Sequence, residues 1–599
     1  MDLEEFHRMI DRCQGLPEVD FKEEDFVQFH LASQKCIEKG HTDVLLEIIL
    51  DEKNKDIVRC MGWNLVSPLV RCVLQNKADG SYDHCVTMLD EIIELCNPKE
   101  LLIGLLEPIE EAVGEKISQT IVLLLQPLQT VLLKLGKKKA YSVGLSLSTI
   151  LSQISKLPVP YTKEQEQDDK YGLCKCCTAM LNFMKPFVKE IGEARGCVTE
   201  NKTNEELRKE LLNFCMKSLE YPLLRAQLDV AHDETEKQPL RQFASDILVI
   251  ILHLGECLSK LLISHGCHQW ARKENSEKIQ KEDAVFSADS LACLAYFVFV
   301  QQTGADHFPS VFSSSFILHF NMEYIAVLLK RTEESVVSKG LDLFESCLLK
   351  MEDNHLLHQY LEIKDFLNVP QDLVKVMTLC PSEHLRKRSL KILQIYIDKF
   401  DIEGKYKLFR CLLKTCSHAG LQGYIIQNIK NQIDLALKPQ HENLWFSEQR
   451  LIPLVLLVLS LPEGAETDLL QNSDRIMASL NLLRYLLIRD DESENRTRVW
   501  SELWRIEDNF LKPLRTGLNM SRAHYEAEIK NTKDKKQSKE LSRTKTICSL
   551  TVEGEKLPSM TREMQLEVLH SALFTFDVMQ SVLARVEELI VVKERPVIQ

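Results

Sequence analysis

Apolar residues recur at steps of three and four along almost the whole chain, the period that lines one face of an α-helix. Ile117, Ile121, Leu124, Leu128, Val131 and Leu135 form one such stripe. Leu566, Leu569, Leu573, Phe576, Leu583, Val586 and Ile590 form another near the C-terminus. Between them the chain reads as segments of about 12 to 25 residues separated by short polar breaks. A strand-rich fold needs many turns, and turns draw on glycine and proline. Those two residues number only 21 and 19 in 599, roughly half the usual share of about 12%. The pattern therefore predicts helices and little else.

Helices paired at this spacing repeat about every 40 residues, as HEAT and armadillo units do. No strict signature recurs, so the expected architecture is an all-α, HEAT/armadillo-like helical repeat solenoid with degenerate repeats. Each repeat packs only on its neighbours, which lets a chain of this length run as one array. Three stretches are expected: N-terminal repeats over 1–160, middle repeats over 171–300 and C-terminal repeats over 311–599. The first joint is Leu157-Pro158-Val159-Pro160 with the polar run Lys163 to Lys170, read as an extended linker because each proline disfavours helix at the residue before it. Asn201 to Glu206, Asp233 to Gln238, Arg272 to Asp283 and Arg489 to Arg498 read as charged loops or turns. Ile547 to Gly554 alternates weakly, as a small hairpin would.

The formal charge is −14, which argues against general nucleic-acid binding, since that needs a basic field. The run Lys530 to Lys545 carries seven basic residues against two acidic ones but no aromatics, and reads as a solvated loop rather than a nucleic-acid or targeting patch. The most apolar runs, Leu291 to Val300 and Leu451 to Leu461, fall short of the roughly 18 to 20 residues of a membrane span. The acidic start Met1-Asp2-Leu3-Glu4-Glu5 lacks the order of a signal peptide. A cytoplasmic or nuclear protein without membrane insertion is expected. The 19 cysteines are scattered through apolar stretches and odd in number, so they are read as free, buried thiols of a reducing compartment.

Phosphate-loop, dinucleotide, nucleophile-elbow and zinc-protease motifs are all absent from the sequence. Cys174-Lys175-Cys176-Cys177, His265-Gly266-Cys267-His268 and the pair His355 and His358 offer metal-type ligands. None forms the two separated pairs that a structural zinc site requires, so no metal, cofactor or catalysis is expected. Lys175 would lower the pKa of its flanking thiols if they were exposed. A large helical surface is left, which suits binding to other proteins. Trp445, Trp500 and Trp504 stand beside polar loops, either as binding hot spots or as plugs between helices.

Several blocks resemble the glomulin family. They include Phe21-Lys22-Glu23-Glu24-Asp25-Phe26, Met61-Gly62-Trp63-Asn64-Leu65-Val66, Leu95 to Leu102, Arg331 to Val336 and Leu373 to Pro381. Longer ones run from Leu461-Pro462-Glu463-Gly464 through Arg484, from Asn509 to Asn531 and from Glu563 to Ile590. The resemblance implies a HEAT-like fold that inhibits cullin–RING ubiquitin ligases. A region within about 400–595 would grip the RING-box subunit and its associated cullin, masking the docking surface of the ubiquitin-conjugating enzyme. It also implies binding to FK506-binding immunophilins and to the hepatocyte growth factor receptor, so a signalling scaffold is the alternative. A nuclear transport receptor, a further alternative, finds no supporting motif.

The helical period then selects contact candidates. Ile426, Ile429, Ile433 and Leu437 form a core stripe, leaving Gln427, Lys430, Asn431 and Asp434 on a flanking polar one. Lys430 ranks first as the sole cation on that stripe. With Ile476, Leu480, Leu483 and Leu487 pointing inward, Asn472, Arg475 and Arg484 become candidates. Trp445, Asn519, His524 and Tyr525 complete the set.

Overall fold

The computed structural model describes residues 2–594 apart from 15, 18–19, 76–79, 137–138, 195–201, 229–237, 264–285, 310, 439–442, 491–494, 539–550, 553–554 and 557–560. Among these, helix follows helix from Asp2 to Glu594, and the sole strands are Thr551–Val552 and Glu555–Lys556, an antiparallel pair. The chain is an all-α, HEAT-like helical repeat solenoid. Its stripes are buried as their period requires: Ile117, Ile121, Leu124, Leu128 and Val131 all lie in the core.

Among the first helices, several hydrogen bonds between neighbouring layers span about 40 residues. Gln14 reaches Asn54, Thr42 meets His84, Lys134 donates to the Ile93 carbonyl and Gln153 to that of Glu110, at separations of 40, 42, 41 and 43 residues. Farther along they span 46 to 54. Local signals start many helices. Asn97 caps the Pro98–Glu111 helix by accepting from the Lys99 amide, with Pro98 at the first turn. Asp401 caps Ile402–Thr415 by accepting from Gly404. Proline also enters helix interiors, at Pro108, Pro127, Pro186, Pro370 and Pro453. There it removes a backbone donor, and packing holds the helix together despite the loss. Helices come close where glycine permits: a Cβ on Gly104 would stand 2.9 Å from the Trp63 carbonyl, and one on Gly423 3.1 Å from that of Asp474.

Contacts divide the chain into two compact units, Met1–Lys350 and Met351–Gln599. The stretch read as an extended linker lies inside the first and is fastened there. Leu157 is buried, and Lys163–Asp168 is a short helix with a Thr162/Gln165 capping box. The Glu166 carboxylate accepts from the Leu240 amide at 2.8 Å, and the Tyr161 hydroxyl donates to Glu334 at 2.6 Å. Asn201 to Glu206 is not a loop either: the Lys202–Ser218 helix takes up all but its first residue. The readings at 233–237, 272–283 and 491–494 lie outside the described residues, while Lys530 and Lys533 continue the Lys512–Ser538 helix.

Two helical stretches, Glu52–Gln75 and Lys116–Lys134, are long and apolar enough to cross a membrane by length and composition. This corrects the expectation that no stretch is. Their windows are 67% and 50% buried inside the protein, so the apolar groups serve its core.

Candidate protein-binding surface

In the second unit helices pack in two ranks. Ile402–Thr415 contacts Glu448–Val458 in one; Ala419–Ala436, Ser473–Arg489 and Arg562–Glu594 pack in sequence in the other. Lys512–Ser538 lies along the last of these. The second rank carries most of the residues selected by the helical period.

On Ala419–Ala436, Ile426, Ile429 and Ile433 are buried as expected, and Leu437, just past the helix end, is half-buried. Gln427 and Asn431 are exposed and share an amide hydrogen bond of 3.4 Å. Lys430 and Asp434 are half-buried because both engage Tyr485 of the next helix. The Lys430 ammonium lies 5.1 Å from the ring centroid. Asp434 accepts from the phenol at 2.6 Å and has Lys438 at 3.3 Å. Burial, followed by that bond to Asp434, pushes the phenol up to about 12. The same bond is the first cause holding the Asp434 carboxyl below its usual range. A cation over an aromatic face is worth about 0.5–1 kcal/mol at exposed sites, so Lys430 is oriented rather than free to swing.

Arg484, next to Tyr485, is exposed. Arg475 has a different environment: its guanidinium donates to the carbonyls of Leu457 and Ser460 at 3.4 and 3.2 Å, at the end of Glu448–Val458. Burial lowers its pKa, and its donors are engaged in capping that helix. Asn472 is half-buried and donates to the Asp468 carbonyl at 2.9 Å. Asn519 and His524 are exposed on Lys512–Ser538, whereas Tyr525 packs edge-on against Phe576 of the last helix at 5.4 Å.

The three tryptophans separate. Trp500 is half-buried and donates from Nε1 to the Asp490 carbonyl at 3.1 Å. Trp445 lies against Tyr406, in the other rank. Trp504 is 65% exposed.

A further set escaped the periodic reading. The last helix buries Ala572, Phe576, Met579, Leu583 and Val586, yet it also exposes Met564, Val568, Phe574 and Val578. Exposed apolar side chains such as these are available for contact with a partner. The sequence carried a trace of it, since Phe574 and Val578 fall out of phase with the stripe from Leu566 to Ile590.

The metal-type clusters resolve differently. Cys174, Cys176 and Cys177 are buried in the Leu173–Ala194 helix, whose first amides Asp169 caps by accepting from Cys174 and Lys175 at 2.9 and 3.0 Å. Burial pushes all three thiols up, Cys176 to about 12, overriding any effect of Lys175. Cys257, by contrast, is exposed and shifted down, chiefly by its bond with the Ser259 hydroxyl. Alkylation of the native protein near pH 8, mapped by mass spectrometry, is expected to modify Cys257 while sparing these three until denaturant is added. Equal labelling would contradict their burial. His355 and His358 do not share a helix face: His355 precedes the short 3-10 turn that His358 opens, and His358 Nδ1 lies 3.0 Å from Asp401. The 265–268 cluster lies outside the described residues, among which no group of three or more metal-type ligands occurs.

A family model described as an uncharacterised protein family, YAP/Alf4/glomulin, matches residues 1–572. Glomulin of Homo sapiens is 58% identical over 596 residues, covering 99% of this chain and 98% of that protein. Glomulin of Mus musculus is 57% identical over 597 residues, with the same coverage. Among solved structures, the crystal structure of Kap121p aligns over 96% of this chain and 58% of its own at 11% identity, with a TM-score of 0.21 too low to support an argument.

Proposed function

The chain belongs to the YAP/Alf4/glomulin family, and from that premise we propose that it inhibits cullin–RING ubiquitin ligases, its second unit binding the RING-box subunit over the face where the ubiquitin-conjugating enzyme docks. The observation that carries the reading is the exposed apolar set Met564, Val568, Phe574 and Val578 on the last helix. That helix packs beside Ser473–Arg489, which bears Arg484 and meets the Lys430 helix. An apolar centre with polar groups around it is the usual anatomy of a stable interface, which buries roughly 1,600 Å² in all.

Masking needs no bond-making groups. Two proteins that require one surface exclude each other, and relative concentration and affinity decide which is bound. The test is ubiquitin-chain synthesis by a reconstituted cullin–RING ligase with added full-length protein: chain formation should fall as the protein is titrated in and recover with excess conjugating enzyme. Undiminished synthesis at saturation would sink the reading.

Lys430→Glu is expected to weaken RING-box binding about tenfold, a loss of about 1.4 kcal/mol, and to restore chain formation. It also removes the cation from the Tyr485 ring and sets a second carboxylate one helical turn from Asp434. The melting temperature should nonetheless move by only a few degrees, since those surface terms are each about 1 kcal/mol or less. Calorimetric titration with the purified RING-box subunit checks the first expectation and thermal unfolding the second. Unchanged affinity would remove Lys430 from the interface.

A further inference from the structure

In the first rank of the second unit, two guanidinium groups are laid on two aromatic rings. Tyr406 lies 5.2 Å from Trp445 between ring centroids, tilted by 46°. The Arg410 guanidinium is 5.8 Å from the Tyr406 centroid, and that of Arg450 is 4.5 Å from the Trp445 centroid. The base is rigid. The Tyr406 hydroxyl donates to the Arg450 carbonyl at 2.8 Å, tying Ile402–Thr415 to Glu448–Val458. Tyr406 and Phe409 both pack edge-on against Phe446, which is fully buried. The Asn443 carboxamide oxygen accepts from the amides of Trp445 and Phe446, holding the approach to the stack.

Arg410 also hydrogen-bonds the Tyr406 hydroxyl, but a guanidinium has five N–H donors, and those left over keep the planar fork that matches a carboxylate. Basic residues outnumber acidic ones in the sequence around Arg410. Positions 385–415 hold nine basic residues and three acidic ones, in a chain whose net charge is −14. Lys407 and Lys414, exposed three residues before and four after Arg410, lie on its side of the helix. Glu403 partly offsets Lys407 at 2.8 Å.

We propose that the Arg410–Tyr406–Trp445–Arg450 stack is a docking point for an acidic segment of a protein partner, its side-chain carboxylates received by the two arginine forks. Nucleic acid fits it less well. Tyr406 is 4% exposed, and the Arg450 guanidinium lies over the Trp445 ring, which closes the platform on which a base would stack. The site takes in Trp445, one of the residues selected from the sequence as RING contacts, whereas the apolar set of the RING-binding reading lies on the last helix of the other rank.

The test is fluorescence anisotropy of full-length protein titrated into a fluorescein-labelled decapeptide of alternating glutamate and alanine. Binding is expected to weaken steeply between about 50 and 300 mM salt and to fall at least about tenfold in the R410Q/R450Q double variant, a change of about 1.4 kcal/mol. A matched glutamine peptide should not bind. The R410K/R450K pair, which keeps charge but loses the planar fork, should fall between the two; it also carries the comparison if the glutamine variant melts early. The proposal is overturned by an acidic peptide that does not bind at millimolar concentration, by a double variant that binds as the wild type does, or by a lysine pair indistinguishable from the wild type. A single-stranded RNA of equal charge binding as tightly as the peptide would overturn it too, marking a general polyanion surface instead.

Discussion

Phe574→Asp is expected to raise the concentration of protein needed for half-inhibition of ubiquitin-chain synthesis by about thirtyfold or more, the effect of losing an aromatic hot spot worth about 2 kcal/mol. The same change should hardly touch the fold. Phe574 is 68% exposed, on the side of the last helix away from Ala572, Phe576 and Met579, so its ring contributes little to the core. Exposed substitutions away from special features usually stay within about 0.5 kcal/mol. In the complex the balance reverses: a phenyl group would leave water for an apolar pocket, whereas a carboxylate there would be buried without a partner. Val578→Asp should act in the same direction more weakly, because valine offers less apolar area. Glu588→Gln, at an exposed polar position on the same helix, is the control expected to inhibit normally. Full inhibition by Phe574→Asp, with thermal unfolding also unchanged, would remove the last helix from the interface.

Lys339→Ala should destabilise the first unit by about 2 kcal/mol, the scale for leaving a buried carbonyl without its donor. Lys339 is 3% exposed, inside the Glu334–Leu349 helix. Its ammonium donates to the Ala226 carbonyl, reaches that of Ser335 at 3.5 Å and lies 5.6 Å from the Tyr296 centroid. The irregular segment it meets has its carbonyls received one after another. Ser335 Oγ donates to Arg225 at 2.7 Å and Gln301 Nε2 to Leu228 at 2.9 Å. A loop can be buried only if its backbone groups find partners, and here Gln301 and the Glu334–Leu349 helix provide them. Alanine would strand the Ala226 carbonyl and leave a cavity along the lysine stem. Lys339→Met refills the cavity without the donor, so the Ala–Met difference measures packing and the Met–Lys difference measures the bond. Denaturant unfolding and amide exchange across 225–228 are the readouts. A loss below about 0.5 kcal/mol for the alanine variant would mean that water replaces the ammonium.

Lys339 also illustrates what could not be read in advance. In Val336-Val337-Ser338-Lys339-Gly340-Leu341 a lysine reads as a solvated position, and its burial depends on a loop more than a hundred residues away. Arg475 was selected as an outward cation for the same local reason, yet its donors cap a neighbouring helix end. Lys430 kept its place on the polar stripe but acquired a ring to rest on. Trp445, Trp500 and Trp504 were equivalent by sequence; one covers a tyrosine, one bonds a carbonyl and one faces solvent.

The helices, the repeat of about 40 residues among the first of them and the buried stripes follow from the sequence alone, because a helix face is a pattern of steps of three and four that needs no distant partner. Which surplus residues face outward was decided only by the tertiary structure. Phe574 and Val578 are visible in the sequence as apolar residues out of phase, but a second neighbouring helix could have buried them. The fastening of the Pro158 to Lys170 stretch and the stacking of Arg410 and Arg450 on their rings are likewise outcomes of packing. Exposure is a property of what lies one or more repeats away, and local periodicity holds no record of it.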